Sequence, residues 1–108
     1  MSKSLMVFIE YDVRKEAVFQ YKRVMQEIFE KANELDARKI DWYSDESEQN
    51  RYHEVYEVPT HSHYYAFRRF RTMKNHPVFG ELFSCLNNEK EGVDCWAVQS
   101  RVRSSVML

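Results

Sequence analysis

Leu5-Met-Val-Phe-Ile-Glu-Tyr-Asp-Val13 is the stretch that decides the fold, because its β-branched and aromatic residues predict an opening β-strand. Alternate side chains of a strand point to opposite faces of a sheet. Both faces of this strand are partly apolar, which indicates a strand that is covered on both sides. One face carries Leu5, Val7, Ile9 and Tyr11, and the other carries Met6, Phe8, Glu10 and Asp12.

Five further elements follow this strand. From Arg14 to Leu35 apolar residues recur every three or four positions, which predicts an amphipathic helix with Asp12 as a candidate cap. Alternating patterns then predict two strands, and Pro59 ends the second of them. A helix capped by Thr60 or Ser62 comes next, followed by a second helical piece after His76-Pro77. The ranges are Arg38–Tyr43 and Arg51–Val58 for the strands, Tyr64–Met73 for the helix, and Val93–Val102 for a last strand.

This order predicts an α+β fold, a ferredoxin-like βαββαβ sandwich with a four-stranded antiparallel sheet and both helices on one face. Residues 1–103 are expected to form a single domain and residues 104–108 a C-terminal tail. The third strand also has two mixed faces, because Tyr52, Glu54, Tyr56 and Val58 alternate with Arg51, His53, Val55 and Glu57. A sheet with two partly apolar faces predicts a homodimer that pairs sheet to sheet as an α/β barrel.

Composition limits the classes of function. The chain has 108 residues, 44% of them apolar, and 16 basic against 17 acidic residues give a formal charge of -1. No global field therefore attracts nucleic acid or an anionic membrane. The two cysteines, Cys85 and Cys95, lack the paired spacing of a zinc site and favour a reducing compartment. The longest apolar run, Leu5–Ile9, is too short to span a bilayer, so we expect a cytoplasmic protein.

Two segments resemble a known family. They are Tyr52-His-Glu-Val-Tyr-Glu-Val58 and Arg71-Thr-Met-Lys-Asn-His76-Pro-Val-Phe79, in which His76 and Phe79 match a histidine and an aromatic of the family and Arg71 stands at the spacing of a further histidine. With the order of elements, they are similar to the dimeric α/β-barrel superfamily, most closely its antibiotic-biosynthesis-monooxygenase-like branch. The resemblance implies a cofactor-independent monooxygenase that acts on a small aromatic or polycyclic molecule in an apolar cavity between sheet and helices.

The same resemblance argues against haem degradation. Haem-degrading members have a ligating histidine four residues after the phenylalanine and a tryptophan six residues before it. Those positions are Phe83 and Met73 in this chain, and a phenylalanine cannot ligate haem iron. We therefore expect no cofactor.

Four residues are the candidate catalytic groups: Glu10, His76, Arg71 and Tyr56. Glu10 or His76 would remove a substrate proton, while Tyr56 and Arg71 would orient and stabilise the resulting anion, which would then reduce oxygen directly. Two of these residues have a simpler interpretation. His76 could have no role beyond the start of the helix at Pro77, and Glu10 could lie at a solvated edge of the sheet.

Other clusters predict less. The run from Tyr64 to Arg71 mixes aromatic and basic residues, as single-strand nucleic-acid sites do, but the pattern is that of an ordinary amphipathic helix. His53, His61 and His63 do not form a convincing metal set. The alternative to an enzyme is a non-enzymatic homodimer of the same fold that binds a small apolar ligand or has a structural role.

Overall fold

The structure is a computed structural model that describes residues 4–45, 47, 50–87 and 92–99. Its elements confirm the predicted fold class: a four-stranded antiparallel sheet in the order β2-β3-β1-β4, with the helices packed on one face. The helices and strands are β1 (Leu5–Asp12), α1 (Val18–Glu34), β2 (Arg38–Ser44), β3 (Arg51–Val58), α2 (His61–Arg71) and β4 (Asp94–Gln99), with short 3-10 helices at Lys15–Ala17 and Phe79–Cys85.

The central strand β1 divides its side chains between the two faces of the sheet as the sequence predicts. The face toward the helices is fully buried and forms the core with the inner side of α1. The opposite face is only half-buried on β1, and no helix of the described residues covers it. We call it the open face. The buried side chains are Leu5, Val7, Ile9 and Tyr11 of β1 and Tyr21, Met25, Ile28 and Ala32 of α1.

The open face combines an apolar area with a charged end. Phe8 of β1 and Trp96 of β4 stack there, with ring centroids 5.8 Å apart and planes 15° from parallel. Trp96 is 42% exposed and Val98 is 47% exposed, which is high for apolar residues in the middle of a strand. At the charged end, cross-strand register places Glu10 opposite His53 and Asp12 opposite Arg51.

Helix α1 begins later than predicted. Arg14 has an extended backbone and its amide donates to the carbonyl of Cys85, which delays the helix. A 3-10 turn, Lys15–Ala17, leads into it, and α1 begins at Val18 with Ala17 in the capping position. The prediction that Asp12 caps this helix is therefore wrong, because Asp12 is the last residue of β1. The helix ends before Asp36, which has a left-handed backbone with φ 64°.

The second half of the chain follows the prediction more closely. Thr60 caps α2, and its hydroxyl accepts a hydrogen bond from the amide of His63 at 3.2 Å. The second helical piece is the 3-10 helix Phe79–Cys85. Strand β4 ends at Gln99, and the predicted continuation to Val102, like the predicted tail at 104–108, lies outside the described residues. In the part of the chain that the structure describes, no helix is both long and apolar enough to cross a membrane.

Candidate functional site

The centre of the candidate site is an ion pair inside the core. Arg71, the last residue of α2, points toward the sheet, and Glu54 projects from the helix-facing side of β3. The two terminal guanidinium nitrogens donate to the two carboxylate oxygens at 2.7 and 2.8 Å, which is the bidentate geometry of a strong pair. Both side chains are completely buried. Two opposite charges are therefore held in the interior, near the aromatic rings of Phe67 and Phe79.

Two tyrosines complete the coordination of Glu54. The hydroxyls of Tyr11 and Tyr56 each donate to one of its oxygens, so with Arg71 the carboxylate accepts four hydrogen bonds. A carboxylate offers about four acceptor positions, and all of them are occupied. We call Tyr11, Glu54, Tyr56 and Arg71 the Tyr–Glu–Arg cluster.

A relay of donors extends the cluster toward α1 and β2. The indole nitrogen of Trp42 donates to the hydroxyl of Tyr21 at 2.8 Å, and the hydroxyl of Tyr21 lies 2.8 Å from that of Tyr11. Since the proton of Tyr11 is directed at Glu54, Tyr21 is the donor in this contact. The carboxylate of Glu54 thus sets the direction of a chain of hydrogen bonds that runs through Tyr11 and Tyr21 to Trp42.

These contacts shift the pKa values of the cluster away from neutrality. Burial alone would raise the pKa of Glu54, but the charge of Arg71 and the hydrogen bonds of the cluster lower it below its usual range. Burial, followed by the charge of Glu54, raises the pKa of Tyr11 and of Tyr56 well above the ordinary value. Burial would lower the pKa of Arg71, but the carboxylate of Glu54 outweighs it and the pKa is raised. The cluster therefore presents fixed charges and oriented donors, and no base that titrates near pH 7.

The structure brings two of the four predicted site residues together. A terminal guanidinium nitrogen of Arg71 lies 3.4 Å from the hydroxyl of Tyr56, and both belong to the cluster. Glu10 lies on the open face, where its carboxylate is 3.4 Å from the ring of His53 and 3.5 Å from the guanidinium of Arg51. Tyr56 and Glu10 therefore occupy opposite faces of the sheet, and the catalytic roles of all four residues stay predictions.

His76 occupies the turn before the 3-10 helix. Its Nδ1 accepts from the amides of Val78 and Phe79, at 3.0 and 3.1 Å, which is the contact of a helix-start residue. Burial, with a smaller contribution from the charge of Lys31, lowers its pKa and favours the neutral ring that can accept these bonds. Its ring also contacts Phe79, whose ring lies near the guanidinium of Arg71.

Sequence reasoning did not single out Glu54 and Tyr11, which are central to the cluster. A signal was present, because Glu54 alternates with Tyr52 and Tyr56 on the face of β3 that also carries Val58. A carboxylate on a helix-facing side needs a partner, and Arg71 was already a candidate on the facing helix. The interior beside Tyr56 was expected to be an apolar cavity; the structure places a charged, hydrogen-bonded cluster there.

The order of elements and the four-stranded sheet define a ferredoxin-like fold. Solved structures with the same fold include a "Putative antibiotic biosynthesis monooxygenase" from Nitrosomonas europaea, which has a TM-score of 0.69 and 8% sequence identity over 94% of each chain. A NIPSNAP family protein from Agrobacterium tumefaciens has a TM-score of 0.68 and 11% identity over 98% of this chain and 93% of its own.

A further structure, named as an antibiotic biosynthesis monooxygenase, has a TM-score of 0.60 and 14% identity over 87% of this chain and 95% of its own. At these identities the likeness shows the fold alone. No protein-family model matches the sequence, and no curated protein matches it.

Proposed function

We propose that this protein is a homodimeric, monooxygenase-like protein that binds a small aromatic molecule beside the Tyr–Glu–Arg cluster. The observation that carries the proposal is the complete burial of Arg71 and Glu54 among aromatic side chains. Buried groups with strongly shifted pKa values concentrate at functional sites. The names of two solved structures with this fold support oxygenation as the chemistry.

The cluster suits the stabilisation of an anion. Arg71 supplies a fixed positive charge and Tyr56 a fixed hydroxyl, both held by Glu54 before any substrate arrives. Such preorganised groups stabilise developing negative charge without reorganising during the reaction. Arg71 therefore keeps the role of stabilising a substrate anion, through its unpartnered Nε–H, while Tyr56, whose proton is donated to Glu54, keeps the role of orienting the substrate.

The absence of a base near neutrality within the cluster restricts the substrate class. Glu54 is held ionised by four donors, so it is a weak base. The substrate must lose its proton readily, as an acidic methylene between aromatic rings does. Solvent water takes that proton, the carbanion adds to oxygen to give a peroxide anion, and this anion recovers a proton from water as a hydroperoxide, which loses water to leave a carbonyl. The balance is one methylene and one oxygen molecule giving one carbonyl and one water, with both electron pairs from the substrate.

The open face supports the homodimer. Phe8, Val55 and Trp96 form a contiguous apolar area, and the charged end carries both Glu10 and Arg51. Patches of this kind mark protein contacts, and a face with both signs of charge can pair with itself around a two-fold axis. Glu10 is assigned to this contact, and proton abstraction by Glu10 would require a substrate on the open face. The free thiols of Cys85 and Cys95 support a reducing, cytoplasmic location.

Sedimentation of two aspartate variants tests the dimer. Trp96→Asp places a charge in the middle of the open face and should yield a single-chain mass. Phe19→Asp is the matched control, because Phe19 is 76% exposed on α1, and it should keep twice that mass. A wild-type protein that sediments as one chain contradicts the proposal.

Oxygen consumption tests the chemistry. Wild-type protein is mixed with polycyclic compounds that carry an acidic methylene, and oxygen uptake and the carbonyl product are measured. Tyr56→Phe should slow turnover at least tenfold, while Tyr65→Phe, an exposed tyrosine of the same kind on α2, should not change it. Equal rates with and without protein across the panel refute oxygenation.

The second candidate is a non-enzymatic homodimer that binds a small ligand. The observation that favours it is the saturation of Glu54, which leaves that carboxylate no acceptor position for a substrate proton. Saturable binding of the same compounds without oxygen uptake would select this candidate over the enzyme.

A further inference from the structure

The Nε–H group of Arg71 has no acceptor among the described residues. A guanidinium has five N–H groups, one on Nε and four on the terminal nitrogens. Among the residues that the structure describes, Nε of Arg71 is the one buried side-chain nitrogen or oxygen that lacks a hydrogen-bond partner. A buried donor without an acceptor is energetically unfavourable, so such an atom calls for an acceptor.

Aromatic rings surround this guanidinium, and the cross-strand row Glu54–Ile9–Cys95 leads from its partner Glu54 to β4. Its carbon lies 5.8 Å from the ring centroid of Phe67 and 5.5 Å from that of Phe79. Cys95 of β4 lies within range of its charge: burial raises the pKa of this thiol to about 11, while Arg71 and Arg68 act against that rise. Cys95 pairs with Ile9, so it faces the helices.

Helix α2 leaves part of β4 uncovered on this side. Cys95 and Ala97 face the helices, are small, and are only half-buried. Tyr64 is a half-buried residue of α2, the helix that contacts β4. Arg68, within range of both Tyr64 and Cys95, is exposed at the rim. We call these four residues the α2–β4 seam.

We propose that the α2–β4 seam admits a compact aromatic molecule whose carboxylate, phenolate or carbonyl oxygen accepts the hydrogen bond of Arg71 Nε. This inference rests on the proposed function and names the chemistry of its ligand. Two arginines, Arg68 at the rim and Arg71 inside, favour an anion, because Glu54 neutralises only one of them. Tyr64 and Phe67 offer the aromatic surfaces against which a ring packs. A buried water molecule offers the same kind of acceptor oxygen, and the experiment separates the two sources.

The Nε–H signal of Arg71 in the NMR spectrum of uniformly labelled wild-type protein reports on this contact directly. Benzoate is the probe, and toluene is the matched probe that has the ring without the acceptor. We expect benzoate to shift the Arg71 signal saturably and toluene to leave it in place. An unchanged signal with benzoate, together with a persistent magnetisation transfer from water, would show a structural water only and overturn the proposal.

Two leucine variants test whether benzoate enters through the α2–β4 seam. Ala97→Leu fills the floor of the seam and should weaken benzoate binding at least tenfold. Ala66→Leu makes the same change on the exposed side of α2 and should leave it unaltered. Equal affinities in the two variants contradict entry through the seam. Benzoate has no acidic methylene, so its binding is independent of turnover: oxygen uptake without benzoate binding refutes the seam alone, and benzoate binding without oxygen uptake refutes only the oxygenase.

Discussion

Glu54 and Arg71 form two parallel hydrogen bonds, 2.7 and 2.8 Å long, and neither side chain reaches the solvent. A buried ion pair of this kind contributes little net stability compared with well-packed apolar residues, because removing two charges from water costs about as much as their attraction returns. Breaking it from one side is different, since the remaining charge is left buried and uncompensated.

Glu54→Gln is therefore expected to lower the free energy of unfolding by about 3–5 kcal/mol, measured by urea denaturation at pH 7. Glu57→Gln is the matched control on the same strand. Glu57 pairs with Arg38 on a half-exposed surface, so its replacement should cost at most about 1 kcal/mol. If the two variants lose comparable unfolding free energy, the loss in Glu54→Gln does not come from breaking the buried ion pair.

Replacing both partners with apolar residues should be milder than replacing one. The double variant Glu54→Leu with Arg71→Met removes both charges together, and comparable replacements of buried ion pairs are often neutral or stabilising. We expect its midpoint in urea to exceed that of Glu54→Gln. A double variant less stable than Glu54→Gln would mean that Tyr11 and Tyr56, left without their acceptor, dominate the energetics.

Acid should weaken the fold through Glu54. Its pKa in the folded state is lowered, so its contribution to stability is present above the unfolded pKa of about 4.3 and is lost as the pH falls through that value toward the folded one. The difference in unfolding free energy between wild type and Glu54→Gln should shrink as the pH falls from 6 to 3. If the difference in unfolding free energy stays constant over this range, the pKa of Glu54 is not lowered in the folded protein.

Alkali should act through the tyrosines of the cluster. The pKa values of Tyr11 and Tyr56 are raised, so both stay protonated in the folded protein while the unfolded chain ionises above about pH 10. Stability is therefore expected to fall as the pH rises beyond that point. The absorbance of tyrosinate near 295 nm should reach its full amplitude only on unfolding, and full amplitude in a native protein would disprove this.

His76 should stabilise the fold by accepting two amides. His76→Ala should destabilise the protein by about 1 kcal/mol, the usual loss at a helix start, and His76→Asn should recover part of it. Because the pKa of His76 is lowered, the contribution is present at pH 8 and is lost as the pH falls below about 6.5. His61→Ala, at an exposed position of α2, is the control. A tenfold loss of turnover with unchanged stability would instead support a proton-transfer role for His76.

Gly80 should tolerate no side chain. A β-carbon at this position would lie 2.2 Å from the carbonyl oxygen of Lys74, so the backbone would have to move. Gly80→Ala is expected to lower the unfolding free energy by about 1–3 kcal/mol. Ser84→Ala, in the same 3-10 helix and exposed, should change it by about 0.5 kcal/mol or less. Equal melting temperatures for the two variants would contradict this packing.

Alternating and helical periods were sufficient to predict the architecture. The two faces of β1 and of β3 were assigned correctly from residue alternation, because successive side chains of a strand point to opposite faces of the sheet. The start of α1 was missed because a tertiary bond, from Arg14 to the carbonyl of Cys85, holds the backbone extended where the local pattern already favours a helix.

The site was less accessible to sequence reasoning. Tyr56 and Arg71, both predicted as catalytic groups, are neighbours in the structure, whereas Glu10, predicted with them, lies on the opposite face of the sheet. Whether a carboxylate on a mixed face is buried depends on which helix residue lies opposite, and that is a tertiary property. Glu54 was overlooked for the same reason: its importance arises from Arg71, seventeen residues away along the chain.

The two tryptophans sit on different sides of the sheet, which provides the chain with two separate optical reporters. Trp42 is half-buried among the α1 residues and donates to Tyr21, whereas Trp96 is stacked on Phe8 at the open face. With Trp96→Phe, the remaining emission follows the interior as the cluster is perturbed. With Trp42→Phe, it follows the surface where a second copy would dock, so one spectroscopic signal can distinguish loss of assembly from loss of the core.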